Sequence, residues 1–119
     1  MKNVIHEPVD QAEMTEELVA LKEQAGKPLY RSEVRLPGSR AATIVFREPA
    51  YEDAEAYIAK QQEDPVGANI NLCMSLVVGA DSKAAAAELV KQPIALGRWV
   101  ARAVLPFFGG GAQVETRAL

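Results

Sequence analysis

The apolar positions of the chain change period several times, and each change predicts a new element. From Tyr30 to Leu36, apolar or small residues (Tyr30, Ser32, Val34, Leu36) alternate with charged ones (Arg31, Glu33, Arg35), which predicts a half-exposed strand. Pro37-Gly38-Ser39-Arg40 is turn chemistry, because proline presets φ and glycine tolerates positive φ. Alternation resumes over Ala42 to Glu48, with Ile44 and Phe46 on one side and Thr43, Val45 and Arg47 on the other. Two such strands about a short turn predict a β-hairpin. Two strands alone are marginal in water, so the hairpin must lie on helices or pair with another copy. The charges at Arg31, Glu33 and Arg35 would blunt pairing between copies.

Beyond Pro49 the period becomes helical, with Tyr51, Ala54 and Ile58 at helical spacing in a helix over 49–62. Pro49 cannot donate to a ladder but suits a first helical turn. Glu52, Asp53 and Glu55 follow where the helix dipole favours negative charge. Asp64 as N-cap and Pro65 restart a helix. Its run of Ile70, Leu72, Cys73, Met74, Leu76, Val77 and Val78 is apolar nearly all round, which predicts a central buried helix closed by Gly79. Only Asn69, Asn71 and Ser75 interrupt it. Asp81-Ser82 predicts the cap of a shorter helix to Lys91, rich in alanine. Pro93 opens a last helix, with Leu96, Trp99, Val100, Ala103, Val104 and Phe107 in one stripe, Arg98 and Arg102 on another face, and Pro106 ending or kinking it.

Ahead of the hairpin, Asp10 with Glu13 resembles a capping box, predicting a helix to about Gln24 with Met14, Leu18 and Leu21 inward. Glu13, Glu16, Glu17 and Glu23 give it an acidic outer face, and Gly26 and Pro28 end it. The expected fold class is therefore α+β: one β-hairpin followed by a bundle of about four helices, with an extra N-terminal helix. The expected divisions are an arm and acidic helix over 1–28, a hairpin and helical domain over 29–108, and a flexible tail over 109–119.

Composition narrows the function classes. With 119 residues, 49% hydrophobic and 24% charged, the chain suits a single soluble domain. A net charge of −3 provides no broad basic surface, so nucleic acid is not an expected partner. One cysteine cannot form an intramolecular disulfide, which fits a reducing compartment. The first residues lack a long apolar signal core, and Arg98 and Arg102 break the longest apolar region. The expectation is a cytoplasmic protein with no membrane partner.

Candidate chemistry is sparse. His6 stands alone near the start with no second histidine or cysteine at zinc-ligand spacing. Cys73 lies among apolar residues, where a thiol resists ionisation. Gly109-Gly110-Gly111 lacks the lysine and helix of a phosphate loop. Arg98, Arg102 and Lys91 form a small basic strip. No catalytic residue, metal or cofactor is expected, and the reading is of a non-enzyme. The feature that stands out is the aromatic end of the last helix. Leu96, Trp99, Val104, Phe107 and Phe108 are either core or an anchor surface for another protein.

A hairpin whose second strand ends in Phe46-Arg47-Glu48-Pro49-Ala50, followed by a compact helical domain, resembles the small tail assembly chaperones of long-tailed bacteriophages. In their Mu-like branch a strand ending in an Arg-Glu-Pro-Thr type motif leads into an acidic helix; here position 50 is alanine. The resemblance covers about residues 29–108. It implies a non-enzymatic protein of the host cytoplasm that binds the tape-measure protein, helps tail-tube protein subunits polymerise around it, and forms a homo-oligomer. It also implies a longer frameshifted form, for which Gly109-Gly110-Gly111 could be encoded by a slippery run of guanines. Under this resemblance Leu96, Trp99, Val104, Phe107 and Phe108 would shield an apolar face of the client. Two alternatives stay open: a small structural head–tail or tail protein, which would persist in mature particles, and a general helical adaptor dimer.

Overall fold

The computed structural model describes residues 16–109. The arm before the first helix, the Asp10–Glu13 cap, Met14, His6 and the tail beyond Gly109 lie outside the described residues. Within them the α+β order is present: α1 (Glu16–Ala25), β1 (Leu29–Leu36), β2 (Arg40–Arg47), α2 (Tyr51–Gln61), α3 (Pro65–Leu76), α4 (Ala80–Leu89) and α5 (Pro93–Trp99). The last helix runs on through a π-helical turn, Val100–Val104, and a 3-10 turn, Leu105–Phe108.

β1 and β2 pair antiparallel, from Leu29 opposite Arg47 at the open end to Leu36 opposite Arg40 at the turn. Between them Pro37–Ser39 makes a 3-10 turn, and Gly38 takes a φ of 79° that a residue with a Cβ resists. The inward alternation follows the sequence pattern: Ser32, Val34, Leu36, Ile44 and Phe46 are buried, while Arg31, Glu33 and Arg35 are exposed. Ile44 and Phe46 have no exposed surface, and they join Leu72, Leu76, Leu89, Leu96 and Val100 in one core beneath the sheet.

The central helix is shorter than its apolar run. It stops at Leu76, and Val77 instead forms an antiparallel bridge with Phe46. Val78 N–H then donates to Val45 C=O at 3.0 Å. The two valines are β-branched and suit extended backbone, so they form a stub of third strand along the outer edge of β2. Gly79, at φ 90°, reverses the chain into α4 and serves as its N-cap. Leu21 of α1 packs over this joint, since a Cβ on Gly79 would lie 3.2 Å from Leu21 Cδ1. Met74 is a further departure: it lies on the outer side of α3 and is exposed.

Ser82 also has a different task from the expected one. It is buried, and its hydroxyl accepts Val45 N–H at 2.8 Å rather than capping α4. With Val78 on the carbonyl, both outward backbone groups of Val45 are satisfied. Arg40 and Glu88 form an exposed ion pair that ties the start of β2 to the end of α4.

The π-helical turn follows from Pro106. Proline lacks the N–H that residue 102 would receive, and its ring crowds that carbonyl. The helix widens one turn earlier, and Leu105 N–H bonds to Val100 C=O five residues back.

Ser82→Ala leaves the part-buried Val45 N–H without an acceptor and should cost about 1–3 kcal/mol in urea denaturation. The Val45 amide should also exchange faster with deuterium than in the parent chain. Unchanged protection at Val45 would remove Ser82 from this role.

Candidate binding surface

The strand-to-helix handover is built from three neighbouring residues, Arg47, Ala50 and Asp53. The Arg47 guanidinium meets the Asp53 carboxylate with both nitrogens, at 2.8 and 3.0 Å. The same carboxylate accepts Ala50 N–H at 2.7 Å, and Asp53 N–H donates back to Ala50 C=O at 3.0 Å. Asp53 thus supplies, from the third helical position, the half of a capping box that bonds the N-cap amide, while alanine at position 50 has no side-chain acceptor for the other half. Pro49 sits just before this cap and outside the helix, contrary to the first-turn place expected of it. Burial opposes ionisation of Asp53, but hydrogen bonds from Arg47 and Ala50, with the charges of Arg47 and Lys27, outweigh it. Its carboxyl is held below the usual carboxylate range.

This clamp sets the rotation of α2, and the face it turns inward is not the one that Tyr51 and Ile58 share. Tyr57 is buried, while Tyr51 and Ile58 are 74% and 56% exposed. Asp53 must point back at Arg47, so the positions one turn on from it, near Tyr57, face the protein. Tyr51 and Ile58, seven residues apart, then share an outer face.

The aromatic end of the last helix is mostly core. Leu96 and Val104 have no exposed surface, and Trp99 is buried. The Trp99 ring meets Phe46 edge-on at 5.5 Å, and its Nε1–H donates to the buried Ser32 hydroxyl at 2.7 Å. Phe107 and Phe108 are half-buried. Phe107 stacks at a tilt on Tyr30, 4.9 Å between centroids, and closes the open end of the hairpin. As an exposed anchor the five residues fail for Leu96, Trp99 and Val104, because Ser32 and Phe46 on the hairpin hold Trp99 inward.

Arg98 and Arg102 of the basic strip line a half-open groove of about 290 Å³ between β1 and the last helix. Arg35 of β1 stands on its other side, and Val34, Trp99 and Ala103 form its apolar part. Arg35 joins the strip through the tertiary fold, while Lys91 is not among the groove residues. Cys73 is fully buried, and burial pushes its thiol up to about 12, so it is inert as a nucleophile at neutral pH. Among the described residues no cluster of His, Cys, Asp or Glu could hold a metal ion, and no helix is long and apolar enough to cross a membrane.

No protein-family model matches the chain. No curated protein matches it either. Among solved structures, an uncharacterised protein from Bacillus stearothermophilus is similar at a TM-score of 0.58 and 19% identity, over 81% of this chain and 95% of that one. The likeness is one of fold.

Asp53 dictates a pH dependence. A carboxyl whose folded pKa is depressed contributes stability above its unfolded value and loses it as pH falls through the folded one. Asp53→Asn should cost about 1.5–3 kcal/mol at neutral pH. The gap between parent and variant should hold down to about pH 5 and narrow below about pH 4. Denaturation curves across that range measure it, and a gap independent of pH would refute the charge-assisted clamp.

Proposed function

We propose that the chain is a tail assembly chaperone of the long-tailed bacteriophage type. In this reading it is non-enzymatic, works in the host cytoplasm, holds the tape-measure protein before the tube closes around it, and assists polymerisation of the tail-tube protein. The observation that carries the reading is the handover itself. The strand ending in Phe46-Arg47-Glu48-Pro49-Ala50 runs into an acidic helix start, and the Arg47–Asp53 pair gives that motif a physical purpose. Self-association belongs to the same reading.

The client surface moves with the burial. Tyr51 and Ile58 offer an apolar face on α2, flanked by the exposed acids Glu52 and Glu55. A helical client with one apolar face would lie across such a helix, and the acids would keep the pair soluble. Phe107 and Phe108 are half-buried and contribute at most their exposed edges; Leu96, Trp99 and Val104 act by supporting the fold.

Size-exclusion chromatography with light scattering, with and without the tape-measure protein encoded nearby, tests this. The parent chain should form a stable complex. Tyr51→Ser combined with Ile58→Ser should abolish the complex with an unchanged denaturation midpoint, since both side chains are exposed. Trp99→Ala combined with Phe108→Ala should instead destabilise the chain, by about 3–5 kcal/mol for the tryptophan alone. A parent chain that ignores the tape-measure protein would overturn the assignment.

A further inference from the structure

The outer face of α2 carries charge on one side only. At about 100° per residue, Tyr51 and Ile58 lie within about 20° of one another and form an apolar ridge about 10 Å long. Both are exposed. Glu55 and Glu52 stand about 40° and 100° round from Tyr51 in one sense, and both are exposed. In the other sense come Ala54 and Gln61, neither of them charged. The ridge therefore has one acidic flank and one uncharged flank.

The fold itself gives these two acids little to do. Glu52 sits in the first turn, where the helix dipole favours it, but Glu55 lies beyond that turn. Positions 56 and 59, one turn on from them, are both alanine, so neither acid has a basic neighbour at the spacing that pairs charges on a helix. α3, packed alongside α2, has no charged residue from Pro65 to Leu76. Lys60 is half-buried in the cleft between α2 and α3, with Tyr57 and Leu72. Arg47 and Lys27 act on Asp53, on the inner side of the helix.

We propose that α2 receives an amphipathic helix of the partner protein that carries lysine or arginine along one flank of its apolar stripe, and that the one-sided acids of α2 fix the direction in which that helix lies. This rests on the reading above for taking α2 as the docking face, and it adds the chemistry of what docks there.

Charge complementarity supplies the first part. An apolar stripe at i, i+3, i+4 and i+7 matches the length of the Tyr51–Ile58 ridge. A cation beside that stripe meets Glu52 and Glu55, whereas a carboxylate there faces like charge. Geometry supplies the second part. Turning the docked helix end for end keeps its stripe on the ridge but exchanges its flanks. Cations that met Glu52 and Glu55 then lie over Ala54 and Gln61. Acids on both flanks would accept either direction, and acids on one flank discriminate between them.

The test uses the full chain and three synthetic helical peptides of about four turns, each with one apolar stripe. The first has lysines along one flank, the second has glutamates at the same positions, and the third has the lysines moved to the opposite flank. By fluorescence anisotropy, both lysine peptides should bind about fivefold or more tightly than the glutamate peptide, an advantage that shrinks with added salt. Glu52→Lys combined with Glu55→Lys should reverse the preference with an unchanged circular dichroism spectrum, and its gain of glutamate-peptide binding shows that it folds. A nitroxide at the peptide N-terminus should broaden amide signals at one end of α2, and at the other end once the lysines change flank. Equal affinity for lysine and glutamate peptides, or a double variant that keeps the parent preference, overturns the charge assignment. Broadening at the same end with both lysine peptides overturns the directional one. Peptide binding that survives Tyr51→Ser with Ile58→Ser removes α2 from it. A chain that binds the lysine peptides through α2 yet ignores the tape-measure protein overturns the reading above and leaves this surface standing. A chain that holds the tape-measure protein but treats lysine and glutamate peptides alike does the reverse.

Discussion

A two-stranded hairpin carries backbone donors and acceptors along both flanks, and burying it against helices makes any unsatisfied one costly. At the flank of β2 the problem is concentrated on Val45, whose N–H and C=O both point away from β1. Two different parts of the chain answer it: the Ser82 hydroxyl takes the N–H, and the Val78 N–H meets the carbonyl. Most of the helical arrangement follows from those two bonds. Val78 can reach Val45 only if α3 ends at Leu76, and Ser82 can reach it only if Gly79 turns α4 back along the sheet. The joint between α3 and α4 is in this sense part of the hairpin.

The inner face of the hairpin is held by a second buried polar contact. Ser32 is a hydroxyl in the middle of an apolar strand face, and Trp99 is an indole N–H in the middle of an apolar helix. Each would be costly to bury alone; together they satisfy one another at 2.7 Å. The bond orients the indole against Phe46 and so sets where the last helix crosses the sheet. The remaining aromatics then follow the helix past Pro106, and Phe107 arrives over Tyr30.

These constraints decide what is left for other proteins. The aromatic residues that look most like an anchor are consumed in joining helix to hairpin. The apolar side chains that remain outside on α2 are Tyr51 and Ile58, turned outward because Asp53 must face Arg47. The outer flank of β2 is closed by Ser82 and Val78.

Much of the architecture was legible in the amino-acid order. The period of two over Tyr30–Leu36 and Ala42–Glu48, the turn at Pro37-Gly38 and the Asp64-Pro65 restart are local signals, set by backbone sterics and side-chain alternation, and the structure contains each of them. The inward set Ser32, Val34, Leu36, Ile44 and Phe46 was legible for the same reason. What only the tertiary structure decided were choices among locally equivalent options. Val77 and Val78 continue an apolar run that reads as helix, yet they complete a sheet edge that lies about thirty residues earlier in the chain. Ser82 reads as a cap and Trp99 as an anchor, but each has a partner distant in sequence, Val45 for one and Ser32 for the other. Tyr51 and Ile58 have the spacing of an inner helix face, and the ion pair of Asp53 with Arg47 turns them to solvent. Local periodicity specifies that a side chain shares a face with its neighbours; which face is buried depends on hydrogen bonds and ion pairs that form only when distant segments meet.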